Sequence, residues 1–395
     1  MVSGPWAREL ADLAPAPREL PSTTSVVIIG GGLAGLTTGL YLAQRGTDVV
    51  VVEARHGPGD SVSGRSLGQV LSGLTEAPDR LVASLGADTT RTIFSFTREN
   101  FDLACALGLV NTRGHLHVAK DTREAEDHEN WFNHYEAMGL QATHWDPDRV
   151  RETLQIEGLG PGLHIAEAGS LHPPHALRVL LERGEEAGVV LLCDCPVLDV
   201  DSDSEGALVH TRRGTIRADA VVFAANGFLP DIDTWFEDKI YPVRTQLLAT
   251  APVSRPENMP ACTSQYGYCA WNLDPEHRLV VEGCRWATPH LEVGETDDTR
   301  ISDPVRQALL RWVGQHASRT QTTEIQQSWA ARMGFTCDGL PLIGPLPGRP
   351  WAVACAGFNG REPGLAFRAA RAVTTGLLEG RDPDVPECFA PRRFV

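Results

Sequence analysis

The sequence predicts an α/β chain, α+β when taken as a whole, in which a Rossmann-like domain is interleaved with an antiparallel-sheet domain. Three observations support this fold class. An apolar run, Val26–Ile29, leads into a glycine turn and a helical stretch, and a second apolar run ends at Glu53. The stretch after Phe236 alternates like antiparallel strands. At 395 residues the chain is also long for one domain, so we expect two.

The glycine turn is the most informative element, and each of its glycines has a physical role. Gly30 lets the chain turn sharply, Gly32 lets the backbone approach a pyrophosphate, and Gly35 lets the helix pack closely on the strand. The helix N-terminus then offers amides and a positive dipole end to phosphates. Glu53 follows about twenty residues on, where a carboxylate accepts hydrogen bonds from ribose hydroxyls. The pattern predicts a dinucleotide site; the simpler interpretation is a tight turn of any α/β protein.

The composition argues against several classes of partner. The net charge of −16 disfavours nucleic acid and anionic membranes, and nine cysteines without a Cys-x-x-Cys pattern indicate buried thiols in a reducing cytosol. No His/Cys spacing suggests a metal site. The N-terminus lacks the apolar core of a signal peptide, and no later segment is long and apolar enough to span a bilayer. We therefore expect a cytoplasmic protein that binds neither nucleic acid nor membrane.

The order of strands, helices and loops suggests how the domains are interleaved. We expect an N-terminal Pro- and Ala-rich arm, a cofactor domain in three pieces and a substrate (cap) domain in two pieces. The expected ranges are 1–21 for the arm, 22–105, 165–235 and 330–395 for the cofactor domain, and 106–164 and 236–329 for the substrate domain.

Five segments, in a fixed order, carry a further pattern. They are Gly30–Gly35 with Glu53, Ser63–Gln69, Gly169–Pro173, Trp329–Pro341 and Gly357–Arg361. Together they resemble the D-amino acid oxidase superfamily of flavoproteins, over roughly residues 25–380. The second and fifth segments are similar to Ser-Gly-Arg-Asn-Gly-Gly-Gln and Gly-Tyr-Asn-Gly-Arg-Gly of the γ-glutamylputrescine oxidase branch, with glycine oxidase and sarcosine oxidase as related branches.

The resemblance implies an FAD cofactor and an amine oxidation. The hydride of an amine carbon passes to flavin N5, an imine forms, and molecular oxygen is reduced to hydrogen peroxide. Positions 331 and 335 hold Ala and Phe, near where the sarcosine oxidase branch attaches FAD through a cysteine, so we expect non-covalent FAD. The residues expected to bind it are Gly30, Gly32, Leu33, Ala34, Gly35, Glu53, Ala54, Arg55, Ser63, Gly64, Arg65, Gly68, Gln69, Val197, Asn226, Gly227, Gly357, Asn359, Gly360 and Arg361.

Five residues are candidates for the chemistry: Arg332, Tyr266, Tyr268, Trp271 and Glu362. Arg332 is close to the position where glycine-oxidase-like relatives hold a substrate carboxylate, and it fits equally a brace for the loop that follows. The three aromatic residues, expected on one strand, fit either a substrate wall or sheet packing. Glu362 departs from the glycine of the branch. It could raise the cost of flavin reduction, hold a cationic substrate, or cap a helix while facing solvent.

The sequence therefore predicts an FAD-dependent oxidase of a small-molecule amine or amino acid. The alternative is an FAD-dependent dehydrogenase, or a tailoring oxidase of secondary metabolism, that acts on an amine-containing intermediate with another electron acceptor. A tRNA-modifying oxidase of this fold disagrees with the net charge of −16. A flavin-binding protein without catalysis of its own stays open.

Overall fold

The computed structural model describes residues 4–256, 259–316 and 324–395, so the first three residues of the predicted arm lie outside the described residues. The strands are β1 (Thr23–Ile29), β2 (Val49–Val52), β3 (Gln69–Val70), β4 (Val110–Asn111), β5 (His115–Val118), β6 (Ala142–Trp145), β7 (Gly162–Ile165), β8 (Gly169–Leu171), β9 (Val190–Leu192), β10 (Val197–Asp203), β11 (Gly206–Thr211), β12 (Gly214–Phe223), β13 (Ile240–Pro252), β14 (Ala261–Ser264), β15 (Cys269–Leu273), β16 (Arg278–Gly283), β17 (Ile325–Thr336), β18 (Leu342–Leu346) and β19 (Arg349–Ala356). The helices are α1 (Ala7–Ala11), α2 (Leu33–Ala43), α3 (Val62–Arg65), α4 (Pro78–Leu85), α5 (Ala87–Ala106), α6 (Thr122–Ala137), α7 (Pro147–Leu154), α8 (Pro173–Glu186), α9 (Asp303–His316) and α10 (Ala366–Glu379).

The first sheet has a parallel centre, as the predicted Rossmann-like unit requires. Its parallel strands run in the order β19-β12-β1-β2-β9, while β11 and β10 continue from β12 and β18 pairs with β19, all three antiparallel. The inner strand β2 and its neighbour β9 are purely apolar, as expected for parallel strands that are covered on both faces. Val26 and Val49, opposite each other in the register, pack on the side of α2, α8 and α10, whereas Val27 and Val50 pack on the other side.

The second sheet is mostly antiparallel, in the order β17-β13-β16-β15-β14-β5-β7-β6, with one parallel pair, β14 and β5. One face packs on α9, where the rings of Trp271 and Trp312 lie 4.7 Å apart. The opposite face contacts the segment that follows β2. There Trp329 packs with Leu67 and donates from Nε1 to the Arg65 carbonyl at 2.8 Å. The strand β17 spans position 330, and the division into domains stays a prediction.

The segment after Glu53 is more ordered than the irregular loop that the sequence predicts. It contains the helical turn α3 and the short strand β3, which joins β8 and β4 in a small third sheet. Gly68, with a φ of +68°, lies between them, and a Cβ there would lie 2.2 Å from the Leu171 carbonyl oxygen. Pairing with β8 therefore fixes a segment whose own composition favours a loop.

The N-terminal segment packs against the body of the protein. Trp6 and Leu10 are buried at α1, and the Trp6 ring lies 5.8 Å from that of Trp329. Two clefts of about 190 and 350 Å³ lie along this segment, both lined in part by Arg18, and neither is lined by a predicted site residue. Within the described ranges, no helix combines the length and the apolar character needed to cross a bilayer.

Candidate active site

The predicted glycine turn lies at the carboxyl end of β1, where the first sheet opens toward α2. Gly30 has a φ of +116°, and a Cβ there would lie 2.8 Å from the Ala224 carbonyl oxygen. A Cβ at Gly35 would lie only 1.9 Å from the Gly30 carbonyl oxygen. Helix α2 begins after Gly32, which caps it without a side chain. The turn therefore brings the positive end of α2 close to the strand end, with glycine where other residues would clash.

Glu53 directly follows β2, and its carboxylate contacts the same glycine turn. Its carboxylate accepts from the Gly31 amide at 2.8 Å and from the Arg55 amide at 2.9 Å. Burial raises the pKa of Glu53, and these two hydrogen bonds oppose the rise. Ala54 is exposed next to it, and the Arg55 guanidinium pairs with Asp298 at 2.6 Å. The acid thus stands at the strand end, where the sequence predicts a ribose contact.

Ser63 and Glu362 meet at the N-terminus of α2, although 299 positions separate them in the chain. The Ser63 hydroxyl lies 2.8 and 2.9 Å from the two Glu362 carboxyl oxygens and accepts from the Leu33 amide at 3.1 Å. Only 6% of Glu362 is exposed, so the expectation of a solvent-facing cap is wrong. Burial raises the pKa of Glu362 to about 7, and the bond from Ser63 opposes the rise.

The segment 64–69 connects the first sheet to the second. Arg65 is buried and pairs with Asp60 at 2.7 Å, and a Cβ at Gly64 would lie 2.3 Å from the Gly59 carbonyl oxygen. The Gln69 amide donates to the carbonyls of Cys262 at 3.1 Å and Trp271 at 3.2 Å, in β14 and β15. These bonds hold the segment between the glycine turn and the second sheet.

A second group of predicted cofactor residues joins the ends of β12 and β19 to β17. Asn226 accepts from the Gly357 amide at 2.9 Å, and Asn359 accepts from the Thr336 amide at 2.8 Å. A Cβ at Gly227 would lie 2.5 Å from the Met333 carbonyl oxygen, and one at Gly360 would lie 3.4 Å from the Met333 sulfur. Of the remaining predicted residues, Ala34 lies in the first turn of α2, and Val197 pairs with Thr211 at the start of β10.

A cluster of histidines that sequence reasoning missed lies on the second sheet. The His115 imidazole is 2.9 Å from the Thr263 hydroxyl, which is 3.3 Å from His117, and His117 is 3.1 Å from the Tyr135 hydroxyl. Burial is the main cause that lowers the pKa of both imidazoles well below the usual range, and the charge of Arg361 lowers them further. The alternation of His115 and His117 on a short strand was the signal that could have identified the cluster.

Arg361 is the link between this cluster and the turn that follows β19. Its positive charge acts on His115, His117 and Tyr135, and burial lowers its own pKa. Arg361 is partly exposed, although burial is the main cause of its lowered pKa. His117 is likewise partly exposed, and its pKa is also lowered mainly by burial. Both side chains therefore lie deep in the protein beside accessible space, where a ligand could reach them.

The three aromatic candidates do not form one wall. Trp271 is fully buried in β15 and packs on α9, whereas 39% of Tyr266 and 37% of Tyr268 is exposed. The tyrosines precede the strand, in a turn where Tyr266 has a φ of +56° and donates from its hydroxyl to Asp127 at 2.7 Å. Their spacing imitates a strand, but the turn at Gly267 places them away from Trp271.

Arg332 is buried in β17 and already has a partner. Its guanidinium pairs with Asp231 at 2.7 Å and lies over the ring of Phe228, 4.5 Å from its centroid. It therefore braces the segment that follows β12. The alternative role, a substrate carboxylate held by Arg332, stays a prediction.

The site fits the diphosphate of a dinucleotide. A Cβ at Gly32 would lie 2.6 Å from the Ser63 hydroxyl and 3.5 Å from a Glu362 carboxyl oxygen, so glycine lets these two side chains form a polar cradle at the N-terminus of α2. Helix N-termini bind phosphates through their amides and dipole. The residues that would hold FAD are the glycine turn, Ser63 and the Gly357–Arg361 turn.

Comparisons with known proteins agree with this geometry. The family model described as FAD-dependent oxidoreductase (DAO) matches residues 25–375. The γ-glutamylputrescine oxidoreductase of Escherichia coli (strain K12) is 24% identical over 93% of this chain and 86% of its own. The glycine oxidase of Geobacillus kaustophilus (strain HTA426) is 25% identical over 84% of this chain and 87% of its own. A crystal structure of glycine oxidase from Geobacillus kaustophilus superimposes with a TM-score of 0.76 at 22% identity, over 95% of this chain and all of the other. The chain therefore belongs to the family of FAD-dependent oxidoreductases, and FAD is its cofactor.

Proposed function

We propose that the protein oxidises a small-molecule amine or amino acid to an imine and passes the electrons to molecular oxygen. FAD supplies the hydride acceptor, at flavin N5, when it is bound. The residues of the chain must then hold the substrate beside it and keep the amine in its neutral form, because an ammonium carries no lone pair to assist loss of the hydride. The two relatives named above, an oxidase of glycine and an oxidoreductase of γ-glutamylputrescine, support this class of substrate.

The observation that carries the proposal is the buried cluster of His115, His117 and the Tyr135 hydroxyl, on which Arg361 acts by its charge. This charge and the surrounding burial keep His115 and His117 neutral. The same charge and burial would lower the pKa of an amine bound there, which favours the neutral form that the reaction needs. Neutral imidazoles and the Tyr135 hydroxyl also supply hydrogen-bond partners for a polar substrate.

The experiment is an anaerobic screen of the purified flavoprotein against a panel of amines and amino acids. Bleaching of the flavin absorbance identifies a substrate, and peroxide released on re-aeration identifies oxygen as the acceptor. Rapid reduction followed by slow reoxidation in air would indicate the alternative, a dehydrogenase or tailoring enzyme with another acceptor. If no member of the panel bleaches the flavin, the proposal fails.

A matched pair of variants tests the role of Arg361. In Arg361→Met, the pH profile of flavin reduction should move about 1–2 units to higher pH, because an amine beside an uncharged side chain keeps its proton longer. The control is Arg371→Met on α10, whose guanidinium is half-exposed and pairs with Glu99 at 2.8 Å. An unshifted profile in Arg361→Met, with normal FAD content, would exclude the electrostatic role.

The cellular location belongs to the same proposal. Nine cysteines are free thiols, among them the buried Cys195, Cys262 and Cys355. Free thiols persist in a reducing compartment, so we propose that the protein works in the cytoplasm. Fractionation of the native host would test this.

A further inference from the structure

Glu362 occupies the place where the glycine turn offers the positive end of α2 to a phosphate. Its carboxyl oxygens lie 2.8 and 2.9 Å from the Ser63 hydroxyl, and Ser63 in turn accepts from the first helical amide, that of Leu33. A Cβ at Gly32 would lie 3.5 Å from the nearer of these oxygens. The carboxyl is therefore part of the cradle described above, and not a neighbour outside it.

The backbone around Glu362 is held in place on both sides. The Asn100 amide donates to the Pro363 carbonyl at 2.9 Å, and its oxygen accepts from the Phe367 amide at 2.9 Å. A Cβ at Gly364 would lie 2.6 Å from the Leu71 carbonyl oxygen, so the chain on the other side is equally close. The turn is fixed on both sides, and the carboxyl at its start is buried beside Ser63.

No cation compensates Glu362 within the described residues, because none of the ion pairs there includes it. The thiol of Cys355 on β19 has its pKa raised to about 12 by burial and is neutral. The charged groups on the surrounding elements face other groups: Glu53 bonds to the Gly31 amide, Arg65 to Asp60 and Glu99 to Arg368, while the charge of Arg361 acts on His115 and His117. An ionised carboxylate would thus face the anionic diphosphate directly.

We propose that FAD binds with the Glu362 carboxyl in its protonated form, so that Glu362 is a proton-linked ligand of the cofactor. In this form the carboxyl donates one hydrogen bond, to the Ser63 hydroxyl or to a phosphate oxygen, and adds no negative charge. The ionised form would repel the diphosphate at close range in a buried site, where water screens little. The γ-glutamylputrescine oxidase branch that the sequence resembles has glycine here, which could not impose such a condition.

The direction and size of the pH dependence of FAD binding follow from the pKa of Glu362. Burial raises the pKa of Glu362 to about 7, so the carboxyl keeps its proton below neutral pH and loses it above. FAD affinity should be constant in mild acid and should fall by up to about tenfold for each pH unit above neutrality. Between pH 7 and pH 9 the dissociation constant should therefore rise about fifty-fold.

The test uses apoprotein prepared from the holoenzyme, with FAD binding followed by quenching of flavin fluorescence between pH 6 and pH 9.5. Wild type should show the rise, whereas Glu362→Gln should bind FAD with an affinity that hardly depends on pH and should exceed wild type at pH 9. Glu124→Gln is the matched control. Glu124 is also buried with a raised pKa, but it lies on α6 and accepts from the Lys120 and Tyr266 amides, so this variant should keep the wild-type pH dependence.

A second measurement needs no variant. Calorimetric titration of wild-type apoprotein with FAD at pH 7.5, in two buffers of different ionisation enthalpy, should report uptake of roughly three quarters of a proton. A flat pH profile in wild type, absence of proton uptake, or an unchanged pH profile in Glu362→Gln would overturn the proposal. None of these readouts depends on a substrate, so failure of the proposed amine oxidation would leave this inference standing.

Discussion

Replacement of Gly35 by alanine should weaken FAD binding strongly, and the reason is a single contact. A Cβ at this position would lie 1.9 Å from the Gly30 carbonyl oxygen. That oxygen cannot retreat, because the Gly30 amide is bonded to the Val52 carbonyl at 2.9 Å and a Cβ at Gly30 would already meet the Ala224 carbonyl. The helix α2 must move instead.

The size of the effect can be estimated from the contact distance. A Cβ tolerates a neighbouring oxygen at about 3 Å, so α2 has to shift by roughly 1 Å from β1. Overpacking of this kind costs about 1–3 kcal/mol in stability. The shift also moves the first amides of α2 and the Ser63–Leu33 bond, which the diphosphate is expected to use. Loss of about 1.4–2.8 kcal/mol of binding energy corresponds to a ten- to hundredfold weaker FAD complex.

The same helix offers a matched control one turn later. A Cβ at Gly39 would lie 3.2 Å from a methyl group of Val51, a side chain that can yield by a few tenths of an ångström. Alanine in a helix interior also stabilises the helix by up to about 1 kcal/mol relative to glycine. Gly39→Ala should therefore bind FAD like wild type. Fluorescence titration with FAD and thermal unfolding measure both variants. If Gly35→Ala binds FAD as tightly as Gly39→Ala, the close contact does not control the site.

Three further predictions concern buried polar groups. Arg332→Met should lower the free energy of unfolding by no more than about 1 kcal/mol in a urea titration, since its partner Asp231 is more than half exposed and can be solvated by water; a rise in KM confined to carboxylate-bearing substrates would instead support the substrate role. Arg368→Met should lower the free energy of unfolding by about 3–5 kcal/mol in the same titration. The guanidinium pairs with the buried Asp382 at 2.6 Å, and the variant leaves this carboxylate without a partner. A decrease of less than about 1 kcal/mol would contradict this. Tyr135→Phe should slow flavin reduction by substrate without weakening FAD, as measured by anaerobic stopped flow and fluorescence titration.

The cofactor half of the fold could be predicted because its determinants are local. The valines of β2 and the glycines between Gly30 and Gly35 follow one another within about thirty residues, and backbone geometry alone dictates their roles. The Ser63–Gln69 segment was predicted less well. Its order comes from pairing with β8, which is about a hundred residues away, and a composition of Gly and Ser gives no sign of that partner.

The candidate site was harder to predict because its residues meet only in the folded chain. The alternation of Tyr266 and Tyr268 has the period of a strand, but the positive φ of Gly267 turns the chain between them. His115 and His117 have the same alternation and do lie on a strand, yet their partners come from α6 and β14. A period of two is therefore informative only when the intervening residue can itself adopt an extended backbone.

The neighbouring residues Arg361 and Glu362 lie in one turn but act on different parts of the protein. The two charges are adjacent in sequence but do not neutralise each other: Glu362 bonds to Ser63 at α2, while Arg361 acts on the histidines of the second sheet. One short turn would thus carry the proposed cofactor contact on one side and the proposed substrate-facing charge on the other. Asn100 holds this turn through the Pro363 carbonyl and the Phe367 amide. Glu362→Gln should therefore leave the turn in place and change only the charge at this position.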